Sequence, residues 1–254
     1  MAARGEPSRR RRRGGRIVSA RENGSGGVGI ELSDVVKTYR RGKLEVHALR
    51  GATMQVPAGQ LVVLKGRSGA GKTTLLNLLA GLDRADGGRI VVAGVEVTAA
   101  SADALVRLRR ETVSVIYQHF ALLPLLTATE NVGVPLRITG TARAERDARV
   151  AELLHQVGLS KHAAQRPAEL SGGQLQRVGI ARALATKPRV LLADEPTAQL
   201  DSHTGAGIMA LLRGLISKHR MTALVATHDP LIEQLADVVL HLVDGVVTEN
   251  VPVG

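Results

Sequence analysis

The chain has no cysteine and no tryptophan, and its 254 residues include only three aromatics, Tyr39, Tyr117 and Phe120. Without cysteine there is neither a disulfide framework nor a thiolate metal site, which fits a reducing compartment. A single-stranded nucleic-acid groove needs several stacking platforms, so the shortage of aromatics weakens that reading and makes each aromatic's place informative. No apolar run approaches the roughly 20 residues of a membrane span; a soluble protein, or one held at a membrane by a partner, is expected. Acidic residues are outnumbered, 23 Asp and Glu against 34 Lys and Arg, for a formal charge of +11. The excess is mostly local. Residues 1–27 carry eight Arg, including the run Arg9 to Arg13, against two Glu, a net of +6 that leaves +5 for the remainder. No apolar segment follows the basic run, so this is not a secretory signal. It reads as a disordered tail, with contact to anionic lipid the second reading. No specific nucleic-acid partner is expected.

What the chain does have is GRSGAGKT, Gly66 to Thr73, set between the apolar run Leu61 to Leu64 and a helical pattern of Leu75, Leu76, Leu78 and Leu79. Strand, glycine loop, helix is the context that makes this string a phosphate-binding loop. Gly66, Gly69 and Gly71 are expected to allow backbone conformations that bulkier residues resist. The loop, with Arg67, Ser68 and Ala70, can then turn its amide N–H groups into one anion-sized hollow at a helix N-terminus. Lys72 is expected to reach the β and γ phosphates of a nucleoside triphosphate, Thr73 to hold Mg²⁺ through its hydroxyl, and Thr74 to complete the set.

Upstream, Gly29 to Tyr39 and Val46 to Val56 read as two strands of a small antiparallel layer. Tyr39 either stacks on a purine base or packs internally. Downstream, Asp86-Gly87-Gly88 reads as a turn into a strand from Arg89 to Ala93, and Ala102 to Arg110 as a short charged helix. Val113 to Tyr117 reads as a buried strand ending in Gln118. Open α/β sheets bind ligands at the C-terminal ends of their strands, though Gln118 could equally be an idle loop residue. From about Phe120 to Leu170 the strand pattern stops. Thr127 to Leu136 and Ala142 to Val157 have helical spacing, punctuated by Gly158 and Pro167, which predicts a helical insertion. It closes on Leu170-Ser171-Gly172-Gly173-Gln174 and an amphipathic helix from Gln176 to Ala185. Ser171 with two glycines makes a second anion-binding helix start, one more than a single nucleotide needs from one chain.

The α/β pattern resumes at Val190, and the strand ends in Asp194-Glu195-Pro196. Adjacent carboxylates there can divide the labour of triphosphate hydrolysis, Asp194 for the metal, through water, and Glu195 as the base for the attacking water. Asp201 sits at a helix N-cap, and Thr222 to Thr227 forms a strand ending in His228. A lone histidine is more often structural. Three polar groups at equivalent strand ends, Gln118, Asp194 and His228, raise the odds that they converge.

Taken in order and spacing, GRSGAGKT, Gln118, LSGGQ, VLLADEP, Asp201 and His228 resemble the ATP-binding subunit of ABC transporters over residues 29–248. Tyr117 to Val132 and the stretch from His228 to Val247 resemble the lipoprotein-release and macrolide-export (LolD/MacB-type) branch. The resemblance implies an ABC ATPase fold, α/β, a phosphate-loop core with a small antiparallel β layer and a helical insertion. It implies a basic tail over 1–27 and the ATP-binding domain over 28–254, with the helical subdomain at about 120–175. It further implies ATP and Mg²⁺ as cofactors and a head-to-tail homodimer with each ATP between one chain's phosphate loop and the other's signature loop, so that Ser171, Gly172, Gly173 and Gln174 act in trans. By the same resemblance Gln118 approaches the metal and the water, Asp201 lies on the loop crossing the dimer interface, His228 contacts the γ-phosphate and Tyr39 stacks on adenine. A transport-coupled ATPase driving a separate membrane permease is expected, cytoplasmic and peripheral at the inner face of the membrane. The alternative is a soluble or regulatory ABC ATPase acting in cell division, on DNA or on the ribosome. The sequence departs from the family pattern at Leu175, Ala198-Gln199 and Gly179, and none of these removes a catalytic group.

Overall fold

The computed structural model describes residues 28–42 and 44–249. The basic tail, with the disorder and lipid contact expected of it, lies outside the described residues.

Two sheets share one chain. The first is antiparallel, in the order β2-β1-β4-β5, built from β1 (Val28–Arg41), β2 (Leu44–Pro57), β4 (Gly87–Val92) and β5 (Val95–Glu96). The second holds β3 (Leu61–Lys65), β6 (Val113–Ile116), β7 (Val190–Asp194), β8 (Thr222–Thr227), β9 (Val238–Val243) and β10 (Val246–Glu249) in the order β10-β9-β3-β8-β7-β6. Its strands run parallel except for β10, which returns antiparallel at the edge. The central strands are apolar throughout because both faces are covered. Leu61, Val63, Leu191, Ala193, Ala223 and Val225 face one core, with the helices. Their neighbours Val62, Leu64, Val190, Leu192, Leu224 and Ala226 face the other, toward the antiparallel layer. The period of two in a strand makes both cores from one set of segments.

Among the described residues the α-helices are α1 (Lys72–Leu79), α2 (Ala102–Glu111), α3 (Ala128–Ile138), α4 (Arg143–Gln156), α5 (Gly172–Ala183), α6 (Ser202–His219) and α7 (Pro230–Glu233). The last of these, with β5, β9 and β10, had no counterpart in the sequence reading. Two expected boundaries shift. Gly87 and Gly88 are not a turn before the strand but its first residues, and Gly88 is excluded from any larger side chain because a Cβ would stand 2.4 Å from Asp34 O. The helix expected from Gln176 starts four residues earlier, at Gly172, because Ser171 closes a capping box with Gln174. Ser171 and its two glycines thus open the helix directly, as the helix start read from the sequence requires.

Candidate functional site

The phosphate loop is shaped by two different demands on its glycines. Gly69 and Gly71 have positive φ, 79° and 104°, the left-handed region that favours glycine. Gly66 does not, and its constraint is space: a Cβ there would lie 2.6 Å from Leu242 O on β9. The expectation that all three serve backbone freedom is therefore corrected for Gly66, which lets the loop pass close to β9.

The loop leads into a cavity of ≈ 350 Å³ lined by Ser68, Gly69, Gly71, Lys72, Thr73 and Thr74, with Gln118, Asp194, Glu195 and His228 from the ends of β6, β7 and β8. Tyr39, Val46 and Ala48 close the far end. Gly66, Arg67 and Ala70 instead line an adjoining cavity of ≈ 750 Å³, beside His228 and the β9–β10 turn. The signature residues Ser171 to Gln174 and Asp201 line neither.

Within the first cavity Thr73 pairs with Asp194, and Glu195 with Lys72 and His228. Lys72, 7% exposed, donates from Nζ to Gly66 O at 2.7 Å and Arg67 O at 3.2 Å, and lies 3.2 Å from Glu195 Oε1. Thr73 Oγ1 donates to Asp194 Oδ2 at 2.7 Å. Glu195 Oε2 lies 2.9 Å from His228 Nδ1, and the imidazole is otherwise largely in solvent. Burial pushes the Asp194 carboxyl up from its ordinary range, the Thr73 hydrogen bond opposing and the Glu195 charge adding. Asp194 Oδ1 is buried with no hydrogen-bond partner.

Glu195 is held in an unusual backbone. Its φ is 46°, left-handed, although the residue before a proline is ordinarily driven to extended conformations. Its N–H donates to Ala226 O at 2.8 Å, a bond from β7's end to β8 that fixes the turn and aims the side chain at Lys72 and His228. A non-glycine residue in this region costs on the order of 1 kcal/mol, and such strain is concentrated where a side chain has to be aimed.

The signature loop is built from a separate set of contacts. Ser171 Oγ accepts from Gln174 N at 3.4 Å, and Gln174 Oε1 accepts from Ser171 N at 2.8 Å. That second bond fixes the amide orientation, so the Gln174 amide nitrogen faces His162 Nε2 at 3.2 Å and His162 Nδ1 donates to Gln165 Oε1 at 2.6 Å. His162 carried no signal in the sequence beyond its nearness to LSGGQ. Gly173 packs against α6, where a Cβ would stand 2.6 Å from Thr204 Cγ2. Asp201 caps α6 by accepting from Thr204 N at 2.9 Å, so the signature loop and the Asp201 turn are neighbours on one surface.

A nucleotide-sized cavity at the C-terminal ends of parallel strands, floored by a glycine loop and a helix N-terminus, defines a phosphate-loop nucleotide-binding protein. The chain belongs to the ABC transporter family, whose model matches residues 49–198. Among its relatives are the methionine import ATP-binding protein MetN 2 of Pseudomonas aeruginosa, 47% identical over 87% of this chain and 66% of that protein. The macrolide export ATP-binding/permease protein MacB of Shigella boydii is 45% identical over 88% of this chain and 34% of that protein. The chain thus spans just under two thirds of the first and about a third of the second. Among solved structures, a dimeric post-hydrolysis state of the ATP-binding cassette MJ0796 bound to ADP and Pi superposes with a TM-score of 0.80 at 37% identity, covering 87% of this chain and 98% of that one.

Proposed function

We propose that the chain is the ATP-hydrolysing subunit of a transporter, working as a homodimer that closes on two ATP and moves a separate membrane permease. The observation that carries this is the linked set Thr73–Asp194 and Lys72–Glu195–His228 above the phosphate loop. In that reading the loop N–H groups and Lys72 bind the phosphates. Phosphate oxygens compete with Glu195 for Lys72, which frees Glu195 Oε1 to accept a proton as water attacks the γ-phosphorus and ADP leaves. His228, hydrogen-bonded to the other oxygen, orients that carboxylate and reaches the γ-phosphate.

The residues fit Mg²⁺. Thr73 Oγ1, the Gln118 amide oxygen and Asp194, whose buried Oδ1 lacks a partner, are the hard oxygen donors that this ion takes along with water and phosphate oxygens. Bound there, the ion would neutralise charge that builds on the phosphates.

An apolar groove outside the nucleotide cavity supports docking on a permease. A largely apolar groove of ≈ 490 Å³ runs between α2, β6 and α3, with Leu82, Val106, Tyr117 and Ile138 among its lining residues, 49, 44, 38 and 60% exposed. None of the helices in the described residues is long and apolar enough to cross a membrane. We read the chain as a peripheral subunit at the cytoplasmic face of the membrane, its relatives including both an import and an export protein.

Phosphate release from ATP, measured for the full chain with its permease, tests the proposal. We expect turnover that stops when EDTA removes the metal, and Lys72→Ala to lose ATP binding and turnover together. Tight ATP binding by Lys72→Ala would overturn the placing of Lys72 on the phosphates.

A further inference from the structure

Tyr39 is mounted by a small electrostatic assembly that the chain brings together from residues far apart in sequence. Lys37 and Tyr39 are two apart on β1 and so share a face of the sheet. Lys37 is 8% exposed, and its ammonium stands 5.0 Å from the centroid of the Tyr39 ring, within cation–π range. The same ammonium donates to Asp83 Oδ1 at 2.8 Å and to Arg84 O at 2.7 Å. Tyr39 OH donates to the other oxygen, Asp83 Oδ2, at 2.7 Å. Asp83 thus bridges the ring's hydroxyl and the cation on the ring's face, and is itself anchored by the Arg84 N–H at 2.7 Å.

The segment that carries Asp83 is in turn laced to β1. Asp86 N donates to Val36 O at 2.9 Å, and Thr38 N donates to Asp86 Oδ2 at 2.6 Å. The Asp83 carboxyl is held below its ordinary range by Lys37 and Tyr39 against the effect of burial, as the geometry requires. A packing tyrosine would need none of this. Tyr39 is 40% exposed and lines the nucleotide cavity, whereas Lys37 does not line it. The cation therefore backs the ring and leaves the other face to the cavity.

We infer that Lys37 and Asp83 are positioning residues for the nucleotide base, acting through Tyr39. The inference rests on the nucleotide reading above and deepens it. The hydroxyl bond to Asp83 fixes the rotation of the ring, and the ammonium behind it draws electron density away from the cavity side, which favours stacking by an electron-rich purine. Because Tyr39 would meet the base and not the phosphates, the mount contributes to binding of ATP and not to binding of a bare chain of phosphates.

The experiment measures the affinity of the full chain, with Mg²⁺, for ATP and for inorganic tripolyphosphate. Tyr39→Phe removes the hydroxyl and keeps the ring; Asp83→Ala removes its partner; the double variant removes both. We expect each single change to weaken ATP about three- to tenfold, the size expected of a charge-assisted hydrogen bond, with tripolyphosphate affinity changed by less than about twofold. The double variant is expected to be no weaker than Asp83→Ala alone. If ATP and tripolyphosphate weaken in parallel, the assembly is only structural and the inference falls. Unchanged ATP affinity in Tyr39→Phe overturns it as well, and that variant keeps the test open should Asp83→Ala, which leaves Lys37 with the Arg84 carbonyl alone, fail to fold. Should the parent chain bind neither ligand, the nucleotide reading itself fails, and the inference with it.

Discussion

Two glycine-containing helix starts, one at Lys72 and one at Gly172, look alike in the sequence and are built on opposite plans. At the first, side chains from α1 and the ends of β7 and β8 are drawn into mutual contact, with a lysine 7% exposed among them. At the second, Ser171 and Gln174 satisfy each other through a capping box, and no carboxylate or lysine joins them. The first is equipped to bind phosphates and handle a proton; the second offers helix N–H groups and a serine hydroxyl, enough to hold an anion but not to react with it. In the homodimer proposed above, this chain would supply the reacting half of one site and, on another surface, the holding half of the other.

The change that should break the reacting half most severely is Glu195→Gln. It keeps the size and can still contact Lys72 and His228, but cannot take up a proton. We expect turnover to fall by about 10²- to 10⁴-fold while ATP binding persists, giving an ATP-bound dimer visible by sedimentation. Near-parental turnover would remove Glu195 from its role.

The comparison itself is sharpened by separating the halves onto different chains. Ser171→Arg and Lys72→Ala are each expected to be inactive as homodimers. Mixed, they form one site with an intact phosphate loop facing an intact signature loop, so part of the activity, or at least ATP-dependent pairing, should return. A mixture shown to contain heterodimers that recovers neither would place Ser171 outside the neighbour's site.

The smallest effect concerns the holding half alone. His162 accepts from the Gln174 amide whose oxygen caps Ser171. His162→Ala should loosen that loop by about one hydrogen bond, or two- to tenfold in the ATP-dependent pairing of a Glu195→Gln background. ATP affinity of the single chain should not move, because the loop does not line its own nucleotide cavity. A matching loss of single-chain affinity would mean that the substitution had disturbed the whole fold.

Much of this was legible in the sequence where the physics is local. The phosphate loop, the apolar strands and the Asp194-Glu195 terminus announce themselves because a glycine pattern or a short run of apolar residues is a local signal. The start of α5 could have been read too, since serine followed by glutamine three residues on is a capping box. β9 and β10 could have been read as well, since Asp244-Gly245 between two apolar runs is a two-residue hairpin signature. The Tyr39–Asp83 and His162–Gln174 contacts were out of reach. Their partners lie 44 and 12 residues apart, and only the folded geometry puts a hydroxyl or an imidazole beside a particular side chain.

Arg182, on the last turn of α5, donates to the Phe120 and Ala121 carbonyls at 3.0 and 2.5 Å. Both of those residues have positive φ, 57° and 49°. A planar guanidinium that grips two successive carbonyls resists twisting as well as separation, so the last turn of α5 is pinned to the segment two residues beyond Gln118. One helix thus carries Ser171 at its start and, about 16 Å away at its end, the clamp on the chain that follows Gln118.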